Sequence, residues 1–73
     1  MAKRVRRNLE DTTWYDSLNN RIITVISRGT GVSGIIWWYC AASDLDDDGD
    51  TVENYYNMFS QDQIEHMQEV ISL

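Results

Sequence analysis

Two segments rich in β-branched and aromatic residues, separated by glycines, constrain the fold of this chain most strongly. Residues 21–27 are RIITVIS, residues 35–42 are IIWWYCAA, and the stretch between them, RGTGVSG, contains three glycines. β-branched and aromatic side chains favour strands and glycines favour turns, so the two segments are predicted to form a β-hairpin. Both strands are apolar on both faces. Both faces of the sheet are therefore expected to be covered. The second face could be covered if the sheet closes into a barrel, if an N-terminal element packs on it, or if a partner protein binds there.

The segments that flank this hairpin allow two interpretations each. Residues 12–17, TTWYDS, followed by LNN indicate a strand and a turn, with a helix over residues 9–18 as the alternative. Residues 51–59, TVENYYNMF, indicate a fourth strand, again with a helix as the alternative. Residues 60–63, SQDQ, match a capping box, and the spacing of the apolar residues after them predicts an amphipathic C-terminal helix.

Together these elements predict an α+β fold: a three- to four-stranded antiparallel meander or small SH3-like barrel with a C-terminal amphipathic helix. Residues 9–73 are expected to form a single small antiparallel β domain, and residues 1–8 a disordered basic arm. The segments RIITVIS, GIIWWY and NMFSQDQIEHM follow an order that resembles small SH3-like barrels among phage accessory proteins. That resemblance implies binding of peptides, proteins or nucleic acids, and no enzymatic activity.

Length and composition limit the number of domains and the cellular compartment expected for this chain. At 73 residues it suits one small domain with a limited core. With a single cysteine, Cys40, an intramolecular disulfide is excluded, and a reducing, cytoplasmic location is expected. MAKRVRR precedes a polar stretch, so a signal peptide is not predicted, and no apolar run approaches the ~20 residues of a membrane span.

Charge is distributed unevenly along the chain and suggests a function. Four of the six basic residues lie in residues 1–7, whereas nine acids and no Lys or Arg follow residue 43. Ordinary surfaces mix both signs, so this half is predicted to meet a basic protein surface, such as that of a nucleic-acid-binding protein. In this hypothesis the chain is a non-enzymatic, phage-type inhibitor or modulator that presents a phosphate-mimicking surface.

The candidate partner-binding residues are nine acids and two tryptophans. On a helix, Asp62, Glu65 and Glu69 would form a row of carboxylates spaced ~5–7 Å apart, close to the spacing of phosphates along a strand. An exposed tryptophan is expected to act as an apolar anchor. The full set is Asp44, Asp46, Asp47, Asp48, Asp50, Glu53, Asp62, Glu65, Glu69, Trp14 and Trp38.

Calcium binding is the first alternative. Asp44, Asp46, Asp48 and Gly49 match the opening of an EF-hand loop, but Tyr55 occupies the position of the closing glutamate. Glu53 would have to replace it, so the alternative ligand set is Asp44, Asp46, Asp48 and Glu53. Calcium is the only cofactor that the sequence suggests, because one cysteine and one histidine are too few for a typical zinc site.

Binding of single-stranded nucleic acid through MAKRVRR and the aromatic row WWY is the second alternative. Direct nucleic-acid binding is disfavoured because no Lys or Arg is interleaved with that row. Attraction between the basic arm of one copy and the acidic half of another would instead produce homo-oligomers. No complete catalytic motif is present, so no enzymatic activity is expected.

Overall fold

The computed structural model describes residues 8–29 and 34–71, which form five strands and one short helix. In chain order these are β1 Thr13–Asp16, β2 Arg21–Gly29, β3 Trp37–Leu45, β4 Thr51–Ser60, α1 Gln61–Glu65 and β5 Gln68–Val70. The predicted hairpin is confirmed as β2 and β3. The two ambiguous segments form the strands β1 and β4, so the helical alternatives are wrong there.

The strands form one antiparallel sheet in the order β4-β3-β2-β1-β5. From β1 to β4 each strand pairs with the next, as in a meander. The chain then crosses through α1, and β5 pairs with the remaining side of β1. The described residues are thus a small, mostly β domain. The predicted basic arm lies outside them, apart from residue 8.

The C-terminal helix is much shorter than predicted. Its capping box is confirmed: Ser60 Oγ accepts from the Gln63 amide at 3.2 Å, and Gln63 Oε1 accepts from the Ser60 amide at 3.0 Å. The helix nevertheless ends at Glu65. Residues 68–70 form β5 because pairing there satisfies backbone groups along the otherwise open side of β1. A C-terminal helix is therefore present, but it does not extend to Ile71 as the apolar spacing predicted.

The core lies on one face of the sheet. Leu9 and Ile64, which lie outside the strands, are both fully buried and help to cover this face. The opposite, outer face keeps exposed side chains, including Thr24, Tyr39 and Tyr56. The cluster of buried apolar residues consists of Leu9, Trp14, Ile23, Val25, Trp38, Cys40, Ala42, Phe59 and Ile64. No helix in the described part of the chain has the length and apolar character needed to cross a membrane.

Candidate protein-binding surface

Residues 46–50 connect β3 to β4, and Asp46 organises this loop. Its Oδ1 accepts hydrogen bonds from the backbone amides of Asp48 and Asp50, at 3.0 and 2.9 Å. The Gly49 amide donates to the Asp46 carbonyl, and Gly49 has a φ of +84°. A side chain at that φ is strained, whereas glycine is not. The aspartate-rich loop is therefore an ordered turn in which Asp46 has a structural role.

Four other carboxylates at this end of the molecule point into solvent. We call Asp47, Asp48, Asp50 and Glu53 the acidic hairpin end, and all four are exposed. Three of them lie in the loop that its own hydrogen bonds hold in shape, and Glu53 lies on β4 just after it. Along the sequence of the described residues, exposed acids are most closely spaced here.

The proposed calcium ligands are not assembled into a site. Asp44 Oδ1 accepts from the Tyr55 hydroxyl at 2.9 Å, and Asp46 accepts the two loop amides. In residues 8–29 and 34–71 no three His, Cys, Asp or Glu side chains are grouped so that they could hold a metal ion. Two of the four proposed ligand side chains, Asp44 and Asp46, therefore already accept hydrogen bonds within the hairpin.

A polar network behind the acidic hairpin end joins four strands. Arg21 Nε donates to Asp16 Oδ2 at 2.9 Å, and Arg21 Nη1 donates to the Tyr55 hydroxyl at 3.1 Å. Tyr55 in turn donates to Asp44. The Arg21 guanidinium also lies 4.8 Å from the centre of the Phe59 ring. These contacts tie β1, β2, β4 and β3 together beneath the loop.

Asp16 is the most buried carboxylate in this network, with 6% of its surface exposed. Burial alone raises the pKa of Asp16, but hydrogen bonds from Asn19, Arg21 and the Leu18 amide, with the charge of Arg21, outweigh it. The pKa of Asp16 therefore lies below its ordinary value. The carboxylate stays ionised and keeps Arg21 in place.

The helical row of carboxylates predicted from Asp62, Glu65 and Glu69 does not form. Asp62 and Glu65 are on α1, but Glu69 is on β5, opposite Trp14 of β1, and is half-buried. The helix also starts at the end of β4 that lies farthest from the acidic loop. The ten-residue strand β4 separates the acidic loop from the helix, and eight residues of an extended strand already span ~27 Å. The loop and the helix therefore lie at opposite ends of the β3–β4 pair.

Both tryptophans predicted as anchors are core residues. Trp14 is 6% exposed and Trp38 is 4% exposed. Trp14 Nε1 donates to Thr12 Oγ1 at 2.7 Å, and Trp38 Nε1 donates to the buried Gln61 Oε1 at 2.6 Å. Each indole lies on the covered face, where the ring is buried and its N–H is satisfied. The prediction of an exposed tryptophan anchor is wrong.

The exposed aromatic pair is formed by two tyrosines instead. Tyr39 of β3 and Tyr56 of β4 stack on the outer face, with ring centres 5.6 Å apart and planes 10° apart. They are 38% and 66% exposed. Strand alternation contained this signal, because Tyr39 lies between the buried positions 38 and 40 on the other face. We call this feature the outer tyrosine pair.

Cys40 and His66 do not form a catalytic pair. Cys40 is fully buried in the core, and burial raises the pKa of its thiol to about 11. His66 is exposed at the end of α1, where its Nδ1 donates to the carbonyl of Asp62 at 2.6 Å. The thiol therefore packs as a small apolar group.

Comparison with models of protein families, with curated proteins and with solved structures found no match for this chain.

Proposed function

We propose that this chain is a non-enzymatic binding module whose acidic hairpin end contacts a basic surface of another protein. The observation that carries the proposal is the exposure of Asp47, Asp48, Asp50 and Glu53 together on one ordered hairpin. No Lys or Arg occurs in the sequence after Arg28, so no neighbouring residue of β3, β4 or their loop neutralises this charge.

Order in the loop makes the charge more effective for binding. The Asp46 hydrogen bonds fix the turn, and the Arg21 network fixes the strands beneath it. Side chains on a pre-ordered scaffold lose less conformational entropy when they bind. The attraction acts over the ~8 Å Debye length of physiological salt, so it should speed association and weaken as salt is added.

Within this proposal, the partner is a protein whose basic surface normally contacts phosphates. A cluster of carboxylates competes for such a surface by charge, which would make the chain an inhibitor or modulator of a nucleic-acid-binding protein. The mimicry is limited to the acidic hairpin end, because the predicted row through Glu69 is not a helical row.

We also propose that the fold is an SH3-like barrel. The order β4-β3-β2-β1-β5, with a short helix between β4 and β5, supports this assignment. No observation on the described residues favours the calcium-binding or single-strand-binding alternatives, and both stay predictions.

The proposal is tested with a fluorescently labelled basic peptide, eight residues of alternating arginine and valine, and the full chain. At low salt we expect measurable binding by fluorescence anisotropy, which disappears as salt is raised. The triple variant Asp47→Asn, Asp48→Asn, Asp50→Asn should weaken binding at least tenfold.

A matched triple variant controls for net charge. Glu10→Gln, Asp11→Asn and Glu65→Gln remove three exposed carboxylates elsewhere. We expect less than a threefold effect on peptide binding from this variant. Equal losses in the two triple variants would show that net charge alone attracts the peptide, and the proposed site would be wrong.

A further inference from the structure

The two edges of the sheet differ greatly in length. β4 is at one edge and is ten residues long, whereas β5 at the other edge has three residues. Within the described residues, no strand pairs with the outer side of β4. Six of its ten residues are exposed. The amides of Met58 and Ser60 already donate to Asn57 and Gln63, so the open backbone N–H groups of this edge lie before Met58.

β4 also carries few of the features that keep edge strands from pairing. Its sequence, TVENYYNMFS, contains no proline, no lysine and one charge, Glu53. An irregularity in the register lies between Asp44 and Leu45, opposite the start of β4. From Glu53 to Ser60 the pairing with β3 is continuous. Edges of this kind are templates for an added strand.

The charges near the β4 edge indicate what kind of strand would pair with it. Asp50 and Glu53 lie at one end of β4, and Asp62 follows its other end. A second copy paired antiparallel along the full strand would bring its own acidic loop beside Asp62, so like charges would meet. A basic extended segment meets complementary charge at both ends.

We propose that the β4 edge binds an extended, basic segment of a partner protein as a sixth strand of the sheet. This inference rests on the proposed function and specifies how the partner is held: charge attracts it, and backbone pairing orients it. On the outer face, an arginine of the added strand would lie beside Tyr56 and could stack on the outer tyrosine pair.

The experiment uses the full chain, isotope-labelled, with the same arginine–valine octapeptide. Backbone pairing should slow the hydrogen exchange of β4 amides at least tenfold and leave β5 amides unchanged. It should also give cross-strand nuclear Overhauser effects between peptide Hα atoms and β4. A fully N-methylated octapeptide has the same charge but no internal amide N–H, and we expect its affinity to be at least tenfold lower.

The possible results separate this inference from the proposed function. If the peptide binds in a salt-dependent way without protecting β4, or if N-methylation weakens it less than tenfold, the added strand is wrong and the charge-based function stands. If the peptide does not bind at low salt, both are wrong.

Two further occupants of the edge are tested on the free protein. A dimer in sedimentation experiments with protected β4 amides would assign the edge to a second copy and overturn the inference. Protection in the monomer that is lost when Lys3, Arg4, Arg6 and Arg7 are changed to Gln would assign it to the chain's own basic segment, with the same consequence.

Discussion

Replacement of Arg21 should destabilise this domain more than replacement of any exposed charge. Arg21→Met keeps much of the aliphatic stem but removes the hydrogen bonds to Asp16 and Tyr55 and the contact over Phe59. A hydrogen bond to a charged group contributes about 1.5–3 kcal/mol, and a cation–π contact about 1 kcal/mol. Asp16 keeps its donors from Asn19 and Leu18, which limits the loss. We expect the free energy of unfolding to fall by about 3 kcal/mol.

That loss is a large share of the stability of a domain of this size. Proteins of 73 residues have unfolding free energies of roughly 4–11 kcal/mol. With a urea m-value of about 1 kcal/mol/M, the midpoint should fall by about 3 M. Tryptophan fluorescence during urea unfolding measures it, because Trp14 and Trp38 leave the core. Arg28→Met is the control: Arg28 is exposed on the same strand, and its loss should change stability by no more than about 0.5 kcal/mol.

The effect of Arg21→Met should also depend on pH in one direction. The folded pKa of Asp16 lies below its ordinary value in an unfolded chain, so the stability from its ionised form is present above that ordinary value and lost as pH falls through the folded pKa. The difference between wild type and variant should therefore be largest near neutral pH and smaller at about pH 2. A loss below about 1 kcal/mol, or a difference unchanged across this range, would refute the reasoning.

Three more substitutions or measurements test other parts of the structure. Asp46→Ala should lower the unfolding free energy by about 1–2 kcal/mol in urea titrations, because two amides lose their acceptor, whereas Asp48→Ala should change it by less than about 0.5 kcal/mol. Equal effects would contradict the structural role of Asp46. Cys40 should not react with a disulfide reagent at about pH 8 until the protein unfolds, and rapid reaction in the native state would be inconsistent with its burial and its pKa of about 11. Gln61→Leu should cost about 1–3 kcal/mol in thermal unfolding by leaving the Trp38 N–H unsatisfied; unchanged stability would show that this bond is dispensable.

The strands were predictable because their signals are local. β-branched and aromatic residues around the glycines indicate β2 and β3 directly, and the hairpin formed as expected. The end of α1 was not predictable in the same way. Ile64, Met67 and Ile71 have helical spacing, yet Ile71 is 72% exposed and the residues before it pair with β1. Pairing with a distant strand outweighed the local pattern, and a short helix has little stability of its own.

The candidate site was predictable in charge but not in geometry. Composition located the acids of the hairpin, because charge can be counted without a structure. It could not separate Asp46, which holds the loop, from Asp48, which faces solvent two residues later. The hydrogen bond between Arg21 and Tyr55 was also hidden, since the two residues lie on β2 and β4, far apart in the chain, and come together only in the folded sheet.

The pairing of β5 with β1 determines the order in which the chain can fold during synthesis. The hairpins of β1 to β4 join neighbouring segments, whereas Thr13 and Val70 meet across 57 positions. Contacts of such long range form slowly because loop closure must precede them. During synthesis, one side of β1 stays unpaired until Val70 has left the ribosome. An incomplete chain therefore exposes two unpaired strand edges, those of β1 and β4, whereas in the finished domain the long exposed edge is that of β4.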